Sequence, residues 1–193
     1  MTPFDAAKLC QSIYDPQTIE FDQVVTVGEI VAGVNFLPNV TVVAFRGSCV
    51  VEDWLNDMSI WPEHDPLFGA VADGFMDDVH EFADHIQPMI KGSLVLTGHS
   101  LGAARACILS AIIPTTQLIL FGCPKVGTTR LKYFVTKNCV EILSFMNHAD
   151  LVCRLPYWLY CHVIEPTQIM SDPIPCTDIQ AHEIDRYVQA LSY

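Results

Sequence analysis

The residues best suited to chemistry in this chain are a serine set between two glycines, an acid that follows a strand pattern, and histidines late in the sequence. Gly98-His99-Ser100-Leu101-Gly102 reads G-x-S-x-G. Residues 93–97 before it carry a buried-strand pattern, and residues 103–111 after it read as a helix of small residues. Strand, sharp turn and helix form the context in which this pattern presents a nucleophile. The turn backbone is strained, and the glycines leave room for strand and helix to approach closely. Ser100 then points its hydroxyl from the carboxyl end of the strand, and the helix N-terminus behind it favours developing negative charge. The plainer alternative is a glycine-rich turn that only packs tightly.

A serine hydroxyl is a poor nucleophile until a base takes its proton, and the base needs a third group to fix its tautomer. Where G-x-S-x-G joins a strand to a helix, acid and base follow it in that chain order. Asp150 lies just past the strand pattern of residues 140–146, in Asn147-His148-Ala149-Asp150. His182, in Gln180-Ala181-His182-Glu183, is the candidate base, expected at a helix start or in a loop. His162 competes for that role from within a strand pattern. An oxyanion needs two backbone N–H donors, one from Leu101 and a second from the strand-end loop Gly47-Ser48. Losing one such donor costs about 3–4 kcal/mol of transition-state stabilisation.

The elements that must hold these groups follow from the apolar spacing. Residues 3–14 read as a first helix, ended by Asp15-Pro16. Residues 24–27, 30–36 and 40–45 read as strands, the first two as a hairpin or meander. Val50, Val51, Trp54, Leu55 and Met58 are spaced like a short amphipathic helix whose apolar stripe suits plain core, with Glu52, Asp53, Asn56 and Asp57 on the wet side. Residues 61–66 read as loop, and 71–90 as one long helix with Phe75, Val79, Phe82 and Ile86 on a single face. Strands follow at 117–121 and 140–146, then at 158–165 and 167–170, and residues 181–191 form a closing helix. This alternation predicts an α/β architecture: a mostly parallel sheet covered on both sides, with antiparallel strands near its amino-terminal edge.

A chain of 193 residues is expected to form one domain, spanning 1–193. Its formal charge of −12 argues against nucleic acid and anionic membrane surfaces, and favours a neutral substrate. Mean hydropathy is +0.32, which fits either a generous core or apolar surface for a greasy ligand. No apolar run is long enough to span a membrane. The first residues lack the pattern of a signal peptide, so a cytoplasmic setting with reduced cysteines is expected. Cys153, Cys161, His162 and Cys176 match no standard zinc spacing, so no metal site is expected, and a serine nucleophile with its base needs no cofactor.

Several separated segments together resemble the class 3 lipases, the fungal triacylglycerol lipase family. They are Ala44-Phe45-Arg46-Gly47-Ser48, Asp53-Trp54-Leu55-Asn56-Asp57, the Ser100 turn, and Phe121-Gly122-Cys123-Pro124-Lys125-Val126-Gly127. The segment from Asn147 to Pro156, Tyr160-Cys161-His162-Val163 and the closing stretch from His182 to Tyr187 continue the match. The resemblance implies a compact α/β-hydrolase that cleaves neutral acyl esters, such as acylglycerols, through an acyl-enzyme. By position it makes Ser100 the nucleophile, Asp150 the orienting acid and His182 the base. Ser48 and Leu101 become the oxyanion donors, and His162 becomes a strand histidine outside the triad. It places a short lid at Cys49, Val50, Val51, Trp54, Leu55 and Met58, and with it a transient contact with a lipid interface. An acyltransferase or thioesterase would use the same triad, and a non-catalytic binding protein would keep only the fold. Outside this set, His99 is expected to be packed and hydrogen-bonded, His148 to serve its loop, and Arg46 to anchor structure through a buried carboxylate.

Overall fold

The computed structural model describes residues 1–15, 17, 20–48, 62–72, 74–156, 159–169 and 178–192. The chain enters through a helix, Pro3–Ser12 (α1), whose N-cap Thr2 accepts from the Asp5 N–H. The β-branched runs then form the strands Gln23–Val27 (β1), Ile30–Leu37 (β2) and Val40–Phe45 (β3). They pair antiparallel, β1 with β2 and β2 with β3, as a meander.

From β3 onward the large sheet is parallel. Ser93–His99 (β6) joins β3, Thr115–Phe121 (β7) joins β6, Cys139–Asn147 (β8) joins β7, and Thr167–Ile169 (β9) joins β8. The spatial order is β1-β2-β3-β6-β7-β8-β9. A separate antiparallel pair, Pro62–Asp65 (β4) and Gly69–Ala72 (β5), precedes the helix Val79–Ile86 (α2).

Side-chain alternation splits the core into two layers. Leu118 and Leu120 of β7 face the side covered by α2, by Leu101–Ile112 (α3) and by Thr129–Asn138 (α4). Ile119 and Phe121 face the other side, where Ala6, Ala7 and Cys10 of α1 pack with Tyr187 of the last helix, Ile184–Ala190 (α6). A five-residue helix, Asp178–His182 (α5), comes just before α6. All but the last residue of α3 are buried, so this helix runs through the interior instead of presenting a wet face. Among the described residues no helix is long and apolar enough to cross a membrane.

Four sequence expectations are corrected. Residues 62–65 are strand, not loop, because β5 supplies them with a hairpin partner. The long helix at 71–90 shrinks to Val79–Ile86, since Gly74 and Asp78 adopt φ +79° and +62°, which no α-helix continues. Residues 159–165 form no strand; only an isolated bridge joins Cys161 to Gly127. The closing helix breaks at Glu183, leaving His182 as the last residue of α5 rather than near a helix start. The proposed lid, Cys49 to Met58, lies outside the described residues.

Candidate active site

The parallel strands all end on one rim, where an open α/β sheet places its ligands. Phe45 leads there into Gly47-Ser48, His99 into Ser100, Phe121 into Gly122, and Asn147 into Asp150. Ser100 takes φ +59° and ψ −127°, a conformation uncommon for a residue with a side chain. Three neighbours hold it there. Its N–H donates to the Phe121 carbonyl at 3.0 Å, and its carbonyl accepts from Ala103 and Ala104, starting α3. The glycines serve the close approach: a Cβ on Gly98 would strike the Gly102 carbonyl, and one on Gly102 would strike the Phe45 carbonyl.

Asp150 is fully buried. Its Oδ1 accepts from the Val152 N–H at 2.9 Å. Its Oδ2 accepts from His182 Nδ1 at 2.7 Å and from the Tyr187 hydroxyl at 2.5 Å. Burial pushes its pKa up, but the His182 and Tyr187 hydrogen bonds and the nearby imidazoles outweigh this, so the carboxyl lies below its usual range. Burial, with Cys153 and Asp150 close by, pushes the Tyr187 phenol well above its ordinary value, so it stays a donor.

A carboxylate only accepts, so His182 carries its proton on Nδ1 and leaves Nε2 bare. That Nε2 and the Ser100 Oγ are both buried, and neither has a hydrogen-bond partner among the described residues. The groups share one wall. Ser100 is tied to Phe121, and the next residue, Gly122, lies under the His182 ring. A Cβ on Gly122 would sit 2.9 Å from His182 Cε1 and 3.3 Å from Asp150 Oδ2. Such an arrangement can serve a nucleophile and a base, the buried acid having fixed the imidazole tautomer, although no hydrogen bond joins Oγ to Nε2 in this structure.

The two residues expected to donate to an oxyanion, Leu101 and Ser48, both lie beside Ser100. Leu101 is the first residue of α3, so its N–H lies outside the intrahelical ladder. Ser48 follows Gly47, whose missing Cβ would come 3.2 Å from Ser100 Cβ. His162 lies in the loop after the bridge at Cys161, and among the described residues no side-chain hydrogen bond joins it to Ser100, Asp150 or His182. His99 is packed and hydrogen-bonded, as expected, with Nε2 at 2.7 Å from the His182 carbonyl. His148 is exposed at a loop, where Nδ1 lies 3.5 Å from Gln168 Oε1. Arg46 makes no ion pair among the described residues; the buried arginine is instead Arg105 of α3, near Glu29.

Three residues at this site escaped the sequence reading: Tyr187, Tyr14 and Gly122. Gly122 and Tyr187 stand within the resembling segments; for Gly122 the sequence signal is a glycine directly after a buried strand, where the chain turns at φ +58°. The six described cysteines carry free thiols. Among the described residues no three metal-ligating side chains converge. A cavity of about 670 Å³ opens at the opposite ends of the strands, between Leu37, Val42, Val95 and Val140, and no residue of the Ser100 cluster borders it.

Comparison with known proteins gives the chain's kinship and fold. The family model "Lipase (class 3)" matches residues 42–160, more than half of the chain. The chain is 28% identical over 148 residues to phospholipase A(1) DAD1, chloroplastic, of Arabidopsis thaliana, covering 60% of this chain and 33% of that one. It is 29% identical over 129 residues to secreted mono- and diacylglycerol lipase 1 of Fusarium solani, covering 60% and 39%. It therefore spans about a third to two fifths of the length of these relatives. The crystal structure of a lipase from Rhizopus microsporus var. chinensis superposes with a TM-score of 0.68 at 16% identity, covering 96% of this chain and 83% of that one. That likeness carries the α/β-hydrolase fold, and the family match carries the kinship: this chain belongs to the class 3 lipase family.

Proposed function

We propose that the chain is a serine carboxylic-ester hydrolase that cleaves neutral acyl esters, acylglycerols among them, through an acyl-enzyme. The observation that carries this reading is the pair of buried, unpartnered atoms, Ser100 Oγ and His182 Nε2, set beside an Asp150 that fixes the imidazole. Burying polar atoms without partners costs free energy, about 1–3 kcal/mol each, and a site that uses them gives that cost a purpose.

Ser100 Oγ attacks the ester carbonyl carbon while His182 Nε2 takes its proton. The carbonyl π electrons move onto oxygen, where the Leu101 and Ser48 N–H groups meet the charge. Collapse breaks the bond to the alcohol oxygen, which leaves with the proton from His182. Water then enters, gives its proton to Nε2 and attacks the acyl carbon. The second collapse returns the proton to Ser100 Oγ and releases the acid. Asp150 stays ionised throughout and stabilises the imidazolium.

The net charge of −12 supports a neutral substrate over an anionic one. The test is hydrolysis of a series of p-nitrophenyl esters, together with labelling by a fluorophosphonate. Wild type should turn over and label, and Ser100→Ala should do neither. A folded wild type that neither hydrolyses nor labels overturns the reading. Added alcohol separates hydrolysis from acyl transfer, since an acyltransferase would make the new ester in preference to the acid.

A further inference from the structure

We infer that His99, with its tautomer fixed by Tyr14, is a positioning residue that holds the main chain of the base against the nucleophile turn. This rests on the ester-hydrolase reading above and adds to it a part outside the triad.

His99 is 3% exposed and covalently precedes Ser100. Its Nε2 lies 2.7 Å from the carbonyl oxygen of His182. A carbonyl only accepts, so the proton is on Nε2. Nδ1 is then an acceptor, and it lies 2.9 Å from the Tyr14 hydroxyl, which donates to it. The two imidazoles stand 4.7 Å apart between ring centroids. Burial, then the neighbouring His182, push the His99 pKa down to about 3, so the ring stays neutral and keeps this donor–acceptor sense.

The need for such a hold follows from where the base sits. His182 ends a five-residue helix, and the chain bends at Glu183 directly after it. A helix that short has little hydrogen bonding of its own to fix its last residue. Two side chains supply what it lacks. His99 donates to the His182 carbonyl, and Asn147 Nδ2 donates to the Ala181 carbonyl at 3.0 Å. One donor is bonded in sequence to the nucleophile, and the other lies three residues before the acid. Ser100, His182 and Asp150 are thereby referenced to one another through main chain, before any hydrogen bond between the reacting atoms forms.

Tyr14 extends the hold to the oxyanion loop. Its hydroxyl occupies the space a Cβ on Gly47 would need, one residue before Ser48. A residue 86 positions before the nucleophile thus touches the loop that carries one oxyanion donor and also sets the proton on His99. A catalytic constellation loses rate steeply when misplaced, by about 100-fold for an ångström. The role is one of placement, since neither His99 nor Tyr14 reaches the reacting atoms except through another residue.

The test uses the whole chain and a p-nitrophenyl ester that the wild type hydrolyses. Rates are expressed per active site, counted by end-point fluorophosphonate titration. His99→Leu should lower kcat by about tenfold to 100-fold and leave KM within about twofold. His99→Gln, whose amide N–H can reach the same carbonyl, should restore kcat to within about threefold of wild type. Tyr14→Phe, which keeps the ring and its packing, should lower kcat by about threefold to tenfold and covers the case in which His99→Leu does not fold. A kcat per site equal to wild type in His99→Leu, or in Tyr14→Phe where the first is unfolded, overturns the inference while the hydrolase reading stands. A His99→Gln as slow as His99→Leu also overturns it, since a purely volumetric role predicts no rescue. A wild type without turnover or labelling overturns both.

Discussion

Tyr187 and His182 donate to the same oxygen, Oδ2 of Asp150, at 2.5 and 2.7 Å. The tyrosine comes from the helix that follows the base, and its hydroxyl also accepts from the Asn147 N–H at 3.1 Å. The acid is thus held from α5 through His182 and from α6 through Tyr187, and its charge is stabilised by more than the imidazole.

Tyr187→Phe removes one of these donors and leaves the ring volume in place. A hydrogen bond to a charged acceptor contributes about 1.5–3 kcal/mol, so the variant should lose stability of that order in urea unfolding. The hydroxyl also holds the Asp150 pKa down, so its loss raises that pKa. The acid limb of the kcat/KM profile should then move to higher pH, because Asp150 is protonated and ceases to orient His182 earlier in an acid titration. An unmoved acid limb would show that Tyr187 serves packing alone.

Gly122→Ala should damage the site more than the fold. The new methyl would sit 2.9 Å from His182 Cε1 and 3.0 Å from Nδ1, at a backbone φ of +58°. Backbone strain there costs about 1–3 kcal/mol, and displacement of the imidazole should cost about 100-fold in kcat. Gly74→Ala is the control. It has φ +79°, but its Cβ would meet only Asp77 Oδ2, at 4.0 Å. It should share the stability loss and keep wild-type kcat. Equal kcat losses in the two variants would remove Gly122 from the site.

The contrast between Ser100 and Gly122 marks what could be read from the sequence. The strand, turn and helix around Ser100 lie within about 20 consecutive residues, so local pattern carries the whole device. The β-branched runs of β1, β2 and β3 are legible for the same reason. The helix boundary at residue 79 was not, although Phe75, Val79, Phe82 and Ile86 keep a helical period. Asp78 is turned to φ +62° while its carboxylate accepts from the Glu29 N–H at 2.7 Å, a contact 49 residues away. The strand at 62–65 is Pro-Glu-His-Asp, with no intrinsic preference for strand, and its hairpin partner decides its conformation. That Asp150 and His182 would meet was legible through motif order. Tyr14 and Tyr187 were not, because a lone tyrosine in a helix pattern says nothing of the imidazole or carboxylate it will meet across the core.

Acid should destabilise the fold through His99 before it protonates the triad acid. In the unfolded chain a histidine takes up its proton near pH 6.5, whereas folded His99 does so only near pH 3. Between those values the unfolded state binds more protons, so stability falls as pH falls, by about 1.4 kcal/mol per pH unit from this group. Above about pH 6.5 both states carry a neutral ring and the effect vanishes. Asp150 and Asp65, both lowered, act below about pH 4, where the unfolded carboxylates begin to protonate. His162, also lowered, shares the upper window. Urea unfolding at pH 7 and pH 5 should show a drop in wild type that is smaller in His99→Gln by about 2 kcal/mol. Parallel drops in the two proteins would place the His99 pKa in its ordinary range.

Removing the nucleophile should stabilise the protein. Ser100 holds a positive φ of +59° and a buried Oγ without a partner among the described residues. Ser100→Ala keeps the backbone strain and removes the unsatisfied hydroxyl, so it should gain about 1 kcal/mol. For a chain of this length that raises Tm by about 2–4 °C. Ser100→Gly also relieves the strain, a gain of about 1–3 kcal/mol, but frees the unfolded chain, which costs about 0.4–1 kcal/mol. It should therefore lie at or above Ser100→Ala. Both variants should lose fluorophosphonate labelling entirely. This is the pattern of a residue kept at a cost for its reactivity. A Tm below wild type for Ser100→Ala, with labelling lost, would mean the hydroxyl is bonded in solution and holds the turn together, and the strained-nucleophile account of this site would fail.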